Sequence, residues 1–225
     1  MTETISPARR ASRDVRRQQL IEATIEVLAL KGYSALTVID VAKAAGLSAG
    51  IINFHFESKD KLLAASLQFL AEEYRGTWIN AVAMAGRDPA ERLRALLLAD
   101  FDDDIFTQRK LAAWVAFWGE KQGRPVYDAI CSNFDRERVR VLLEHCGALI
   151  DEGGYGHDPA LTAKTLDALG DGLWYGMASA RNNSGADANA ARAAVALALA
   201  MFFPGHFKPH AQVAHPPFRG ASKSL

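Results

Sequence analysis

The sequence predicts an all-α protein: an N-terminal three-helix head with a helix-turn-helix, joined to a larger C-terminal helical bundle. Apolar residues recur at spacings of three and four along most of the chain, and the alternation expected of strands is nearly absent. The interruptions are short and rich in Gly, Asn and Pro. The region 13–60 is cut by turns into pieces much shorter than those that follow.

The helices can be placed in order. The first is expected over 13–30, with Leu20, Ile21, Ala23, Thr24, Val27 and Leu28 on one stripe and Gly32 supplying the left-handed stop. Thr37 caps a short second helix over 38–45, and Gly46 breaks the chain. Ser48 is expected to cap a third helix ending near Phe56, and Ser58 a fourth, with Asp60 in its electropositive first turn. Longer helices follow over about 58–83, 88–104, 107–121, 124–151, 158–181 and 186–203. The domain reading is a flexible basic arm over 1–12, a DNA-binding head over 13–60, a ligand-binding and dimerisation body over 61–203, and a flexible tail over 204–225.

Composition narrows the function classes. Of 225 residues, 49% are hydrophobic and 23% charged, which allows a sizeable core. The 26 basic and 26 acidic residues cancel, so any nucleic-acid contact must come from a local basic face. Cys131 and Cys146 are too few for a disulfide scaffold or a paired-cysteine zinc site, and reduced buried thiols are expected. The N-terminal segment lacks a secretory apolar stretch, and the longest apolar run, 193–203, is too short for a membrane span. A cytoplasmic protein without a membrane partner is therefore expected. Enzyme signatures are missing: there is no Gly-x-Ser-x-Gly, no phosphate-cradling Gly loop and no His-Glu-x-x-His. No cofactor and no metal site are expected.

The segment 37–56 has the length and turn of a helix-turn-helix. Val38, Val41, Leu47, Ile51 and Ile52 would form its core, leaving Ser48, Ala49, Gly50, Asn53 and Phe54 outward. A helix in the major groove reads bases with such residues: Asn53 suits a base edge, and Ala49 a thymine methyl. His55 and Lys59 follow at positions suited to phosphates. Arg9, Arg10, Arg13, Arg16 and Arg17 form a basic cluster that fits phosphate or minor-groove contact, and equally fits a solubilising tail. Ser48 as a mere cap and Lys59 as a solvated charge are the plain alternatives.

The stretch GYSALTVIDVAKAAGLSAGIINFHFESKDKLL resembles the DNA-binding head of the TetR family of regulators. The match falls on Gly32, Tyr33, Thr37, Val41, Ala42, Ala45, Gly46, Leu47, Ser48, His55, Phe56, Ser58, Lys59 and Leu62. One departure is Asn53, where many members carry a phosphate-gripping Tyr. The resemblance implies a repressor that contacts double-stranded operator DNA through Arg13, Arg17, Thr37, Ser48, Ala49, Gly50, Asn53, Phe54, His55 and Lys59.

In the body, Trp114, Phe117 and Trp118 share one helix side, and Asp167, Asp171, Trp174 and Tyr175 another. Phe101 stands beside Asp102, Asp103 and Asp104. Rings from two helices beside a carboxylate suit an organic cation, and Asp171 reads as buried in its helix. Such stripes fit an ordinary core as well, with Asp171 paired to Arg109 or Arg181. The segments LAAWVAFWGE and DALGDGLWYGMAS resemble the BetI-type branch of the TetR family, choline-responsive repressors of glycine betaine synthesis. That resemblance implies a small cationic effector such as choline, held by Phe101, Asp102, Trp114, Phe117, Trp118, Asp171, Trp174 and Tyr175. The Ala-rich helices 158–181 and 186–203 read either as core or as a two-fold interface, and the interface of a homodimer is favoured.

Overall fold

The computed structural model describes residues 7–119, 125–179 and 185–208. Its helices are α1 (Pro7–Ala35), α2 (Val38–Ala44), α3 (Gly50–Phe56), α4 (Lys59–Met84), α5 (Pro89–Leu98), α6 (Gln108–Trp118), α7 (Pro125–Gly153), α8 (Pro159–Ser179) and α9 (Gly185–Phe202). A single 3-10 turn, Ala99–Phe101, links α5 to α6. Among the described residues no strand occurs, and no helix is long and apolar enough to cross a membrane.

The head follows from its caps. Gly32 adopts φ 75°, ψ 176°, so the regular helix stops there even though helical bonding resumes as far as Ala35. At Thr37 a reciprocal box forms: the Asp40 amide donates to Thr37 Oγ1 at 3.2 Å, while the Thr37 amide and hydroxyl donate to Asp40 Oδ2 at 3.2 and 2.8 Å. Lys31 Nζ donates to Asp40 Oδ1 at 2.6 Å, tying the end of α1 to the same cap. Its charge and the Thr37 hydroxyl hold the Asp40 carboxyl below the usual carboxylate range. Gly46, at φ +66°, makes the turn to α3. Ser48 does not cap α3 as expected. The helix starts at Gly50, and carbonyls of Ser48 and Ala49 close its first turn, accepting from Ile51 and Ile52. Ser58 caps α4 by accepting from the Lys61 amide at 3.2 Å.

Head and body share one continuous core, from Leu20, Val41 and Ile52 through Leu67 and Leu70 to Leu142, Leu166 and Leu199. Helix α6 lies along α1, α4 packs on α5 and α7, and α8 bridges α7, α6 and α9. Cys131 and Cys146 are buried thiols that form no disulfide, and burial pushes Cys146 up to about 12.

Three expectations are corrected. The helix foreseen over 88–104 stops at Leu98: the Asp102 amide donates to the Ala99 carbonyl in a 3-10 turn, and the Asp100 carbonyl accepts from Trp174 Nε1 at 2.8 Å. The first helix begins at Pro7, ahead of the expected start at Arg13. The tail begins later than Pro204: Gly205 N donates to Tyr155 Oη at 2.8 Å, and His206 Nδ1 lies 3.0 Å from the same oxygen. Tyr155 in turn lies over Gly153, where a Cβ would stand 2.3 Å from the ring. The helix ends expected at 121 and 181 fall outside the described residues.

Thr37→Ala should lower stability by about 1 kcal/mol, read from urea unfolding, because α2 loses its reciprocal cap. A second effect is pH-dependent. His145 is buried, and its Nε2 has no hydrogen-bond partner among the described residues, so burial lowers its pKa below 6.5. A lowered folded pKa gives stability present above 6.5 and lost as pH falls through the folded value. Unfolding midpoints should therefore drop on acidification below 6.5, and His145→Leu should flatten part of that slope; His55, shifted the same way, contributes as well.

Candidate functional site

The body holds a cavity of about 640 Å³. Helix α4 contributes Ala71, Tyr74 and Trp78; α6 gives Trp114 and Trp118; α7 gives Cys131, Phe134, Asp135 and Arg138. Helix α8 adds Asp167, Gly170, Asp171, Trp174 and Tyr175, and the 3-10 turn adds Asp100. On each helix these residues repeat at three and four, so each presents one face to the space.

Its floor is a buried charged knot. Arg138 donates to Asp100 Oδ2 at 2.7 Å and to Asp167 Oδ1. Tyr74 Oη donates to Asp100 Oδ1 at 2.6 Å. Burial pushes the Asp100 carboxyl above the ordinary carboxylate range, while Arg138 and the Tyr74 hydroxyl pull it back. Both its oxygens accept hydrogen bonds, so the group is a carboxylate. Arg138 is held firmly charged by Asp100, Tyr74, Asp167 and Asp171 against the cost of burial. The floor thus sets two carboxylates against one guanidinium, a net negative charge, and Asp135 and Asp171 line the same cavity.

Above the floor stand the rings. Trp174 lies 5.8 Å from Tyr74, 6.5 Å from Trp114 and 6.2 Å from Trp118, between centroids. Trp114 lies 6.5 Å from Tyr74 and 6.4 Å from Trp118. Edges and faces of these four rings surround one space beside a carboxylate, the arrangement that holds a positive charge without donors.

The structure places the sequence candidates unevenly. Trp114, Trp118, Asp171, Trp174 and Tyr175 line the cavity. Phe117 does not: it packs edge-on to Tyr33 of the head at 5.9 Å. Phe101 is wholly buried against Phe106, and Asp102 is exposed and accepts from the Asp104 amide at 3.0 Å. Asp171 is exposed, not buried as expected, because α8 turns that edge outward; the buried acid is Asp100. Arg109 is exposed, and Arg181 falls outside the described residues. Tyr74, Asp100 and Arg138 were missed. The available signal was a lone acid closing the apolar run ALLLADF.

On the head, Ser48, Ala49, Gly50, Asn53 and Phe54 form one exposed face of α3 and its entry turn. The Arg13 guanidinium lies 5.6 Å from the Phe54 ring centroid, and Arg17 lies 5.1 Å from that of Phe56. The basic end of α1 is thereby stacked beside α3. His55 is half-buried and kept neutral, by burial first and then by Arg13 and Arg17. Thr37 is engaged in its cap, and Lys59 Nζ donates to the Leu36 carbonyl at 2.5 Å, pinning α4 to the turn before α2.

The family model of the BetI-type transcriptional repressor C-terminal domain matches residues 89–204, and that of bacterial regulatory proteins of the tetR family matches residues 20–66. The chain belongs to the TetR family, in its BetI-type branch. It is 34% identical to the HTH-type transcriptional regulator BetI of Stenotrophomonas maltophilia over 161 residues, 71% of this chain and 80% of that one. Against BetI of Serratia proteamaculans it is 31% identical over 173 residues, 71% and 79% of the two chains. A transcriptional regulator of Pseudomonas aeruginosa PAO1 superposes with TM-score 0.73 at 27% identity, covering 86% of this chain and 93% of that chain. A regulator of Saccharomonospora viridis, solved in complex with choline, superposes with TM-score 0.71 at 20% identity, over 83% and 96%. This BetI-type chain is therefore a ligand-responsive transcriptional repressor and not an enzyme.

Removing one member of the floor should be costly. Arg138→Met leaves Asp100 buried without its counter-charge and should lose about 3–5 kcal/mol in urea unfolding. Asp100→Asn added to Arg138→Met should recover much of that loss.

Proposed function

We propose that this BetI-type repressor works in the cytoplasm as a homodimer and leaves its operator when a small organic cation, choline in the first instance, enters the ring-lined cavity. The observation that carries the reading is the box of Tyr74, Trp114, Trp118 and Trp174 above a floor of net negative charge. A quaternary ammonium cannot donate a hydrogen bond, so ring faces and a nearby carboxylate are what recognise it. The BetI name of the relatives supports the same ligand.

The head supplies the DNA contacts. Ser48, Ala49, Gly50 and Asn53 face the base edges, and Phe54 offers an apolar surface to a thymine methyl. Arg13 and Arg17 track phosphates from α1, with Thr37, His55 and Lys59 at the margin of the contact. Leu161 on α8 and Leu197 and Met201 on α9 are exposed apolar side chains, and a second subunit would cover them. Two heads related by that two-fold axis read half-sites roughly one DNA turn, about 35 Å, apart. The domain division is a head over 13–60 and a body over 61–203.

Release follows from linkage. Helix α6 carries Trp114 and Trp118 into the cavity and Phe117 against Tyr33, and α4 carries Tyr74 along its length and the Lys59 anchor at its start. A ligand that spreads the rings moves both helices, and the heads lose their spacing. Operator DNA must then weaken ligand binding by the factor by which ligand weakens DNA binding.

The test is fluorescence anisotropy with the intergenic DNA upstream of its own gene, at fixed salt, with and without choline. Choline should weaken a tight complex, and Trp114→Ala and Trp174→Ala should bind DNA normally while ignoring choline. Tight binding indifferent to choline would remove the cation; no sequence preference would remove the operator. Acidification should also weaken the choline response, at a pH above the usual carboxylate range, as Asp100 takes up a proton.

A further inference from the structure

The cavity is larger than the cation box requires. At about 30 Å³ per water, its 640 Å³ holds roughly twenty waters, far more than a trimethylammonium head with a two-carbon arm displaces. The surplus has a definite chemistry. Ala71 precedes Tyr74 by one turn on α4, and Phe134 and Cys131 precede Arg138 by one and two turns on α7. At 1.5 Å per residue, Cys131 lies about 10 Å along the helix from Arg138. Ala71 and Cys131 are buried and Phe134 is half-buried, so these three lining residues offer carbon and sulfur to the cavity. Its acids, Asp135 and Asp171, are exposed.

Resting on the cationic reading above, we infer that the effector is an amphipathic monocation: a quaternary ammonium head in the ring box, joined to an unbranched apolar arm that lies along Ala71, Phe134 and Cys131. The net negative charge of the floor favours a positive head. The lobe beyond it offers no charged partner from these three residues and gains only from apolar contact. A compact cation leaves that lobe filled with water that the walls hold poorly. An arm that displaces this water gains about fourfold in affinity per methylene, until it outruns the lobe.

The experiment titrates the full-length protein, without DNA, with choline and with ethyl-, butyl-, hexyl- and octyltrimethylammonium. Isothermal calorimetry gives the affinities, and the same ions are scored for operator release. Expected is a Kd that falls about fourfold per methylene from ethyl to hexyl and then levels, with operator release at correspondingly lower concentration. Ala71→Leu, which adds bulk to the lobe, should reduce the ratio of hexyl to ethyl affinity. The series on the unaltered protein decides the matter if that variant fails to fold. Choline and ethyltrimethylammonium binding as tightly as the hexyl ion would overturn the arm and leave the cationic reading standing. Hexanol binding as tightly as hexyltrimethylammonium would overturn the charged head. Failure of every ion, choline included, to release an operator that the protein does bind would remove the cationic reading itself.

Discussion

The Asp100–Arg138 pair is the constraint around which the body is assembled. Neither group can be buried alone, since each loses its hydration and needs an opposite charge beside it in return. Meeting at 2.7 Å requires the 3-10 turn after α5 to touch α7. Tyr74 then fastens α4 to the same carboxylate, Asp167 brings α8 to the same guanidinium, and Trp174 takes the Asp100 carbonyl. Gly170 is part of the arrangement: a Cβ there would stand 3.0 Å from Asp100 Oδ2 and would crowd that carboxylate. One buried acid thus positions three helices and two of the four rings. A body packed by apolar contacts alone would have no comparable reason to leave a charged floor beneath an aromatic space.

The head is organised by different means. Its helices α2 and α3 are too short to hold themselves, and caps, turns and the shared core fix them. The Thr37–Asp40 box, the Gly46 turn and the Ser58 cap set where helices begin and end. Gln19 Nε2 donates to the Ala45 carbonyl at 2.7 Å, and Lys59 reaches the Leu36 carbonyl, so α1 and α4 grip the turns around α2. The stacking of Arg13 on Phe54 and Arg17 on Phe56 holds two guanidinium groups in place before any phosphate arrives. In a chain of zero net charge, such local placement supplies the basic face that the composition withholds.

What could be read from the chain divides along these lines. Helix order, the Thr37 and Ser58 caps, the Gly32 and Gly46 turns and the Trp114–Trp118 and Trp174 rings are local patterns, carried by neighbours three or four residues apart. The floor is not local: Tyr74 and Asp100 are 26 residues apart, and Asp100 and Arg138 are 38 apart. No periodicity announces such a meeting, and so Asp171, with its Trp one turn on, drew the attention that Asp100 deserved. Phe117 misled for a related reason. It shares a helix with the cavity tryptophans, but α6 is wedged between two neighbours, and a stripe cannot say which ring turns toward which. Ser48 has the residue type of a cap without the position, since the helix starts one residue later than that role requires.

The wedge of α6 also limits how this lineage can change. Trp114 and Trp118 face the cavity while Phe117, between them in sequence, packs on Tyr33 of the head. Reshaping the cavity for a new signal means altering residues whose backbone also sets the tilt of the DNA-reading helices. Novel effector preference and unchanged promoter occupancy therefore pull on the same three turns of chain. The cheaper evolutionary route is through α7, where Cys131 and Phe134 border the cavity away from the head.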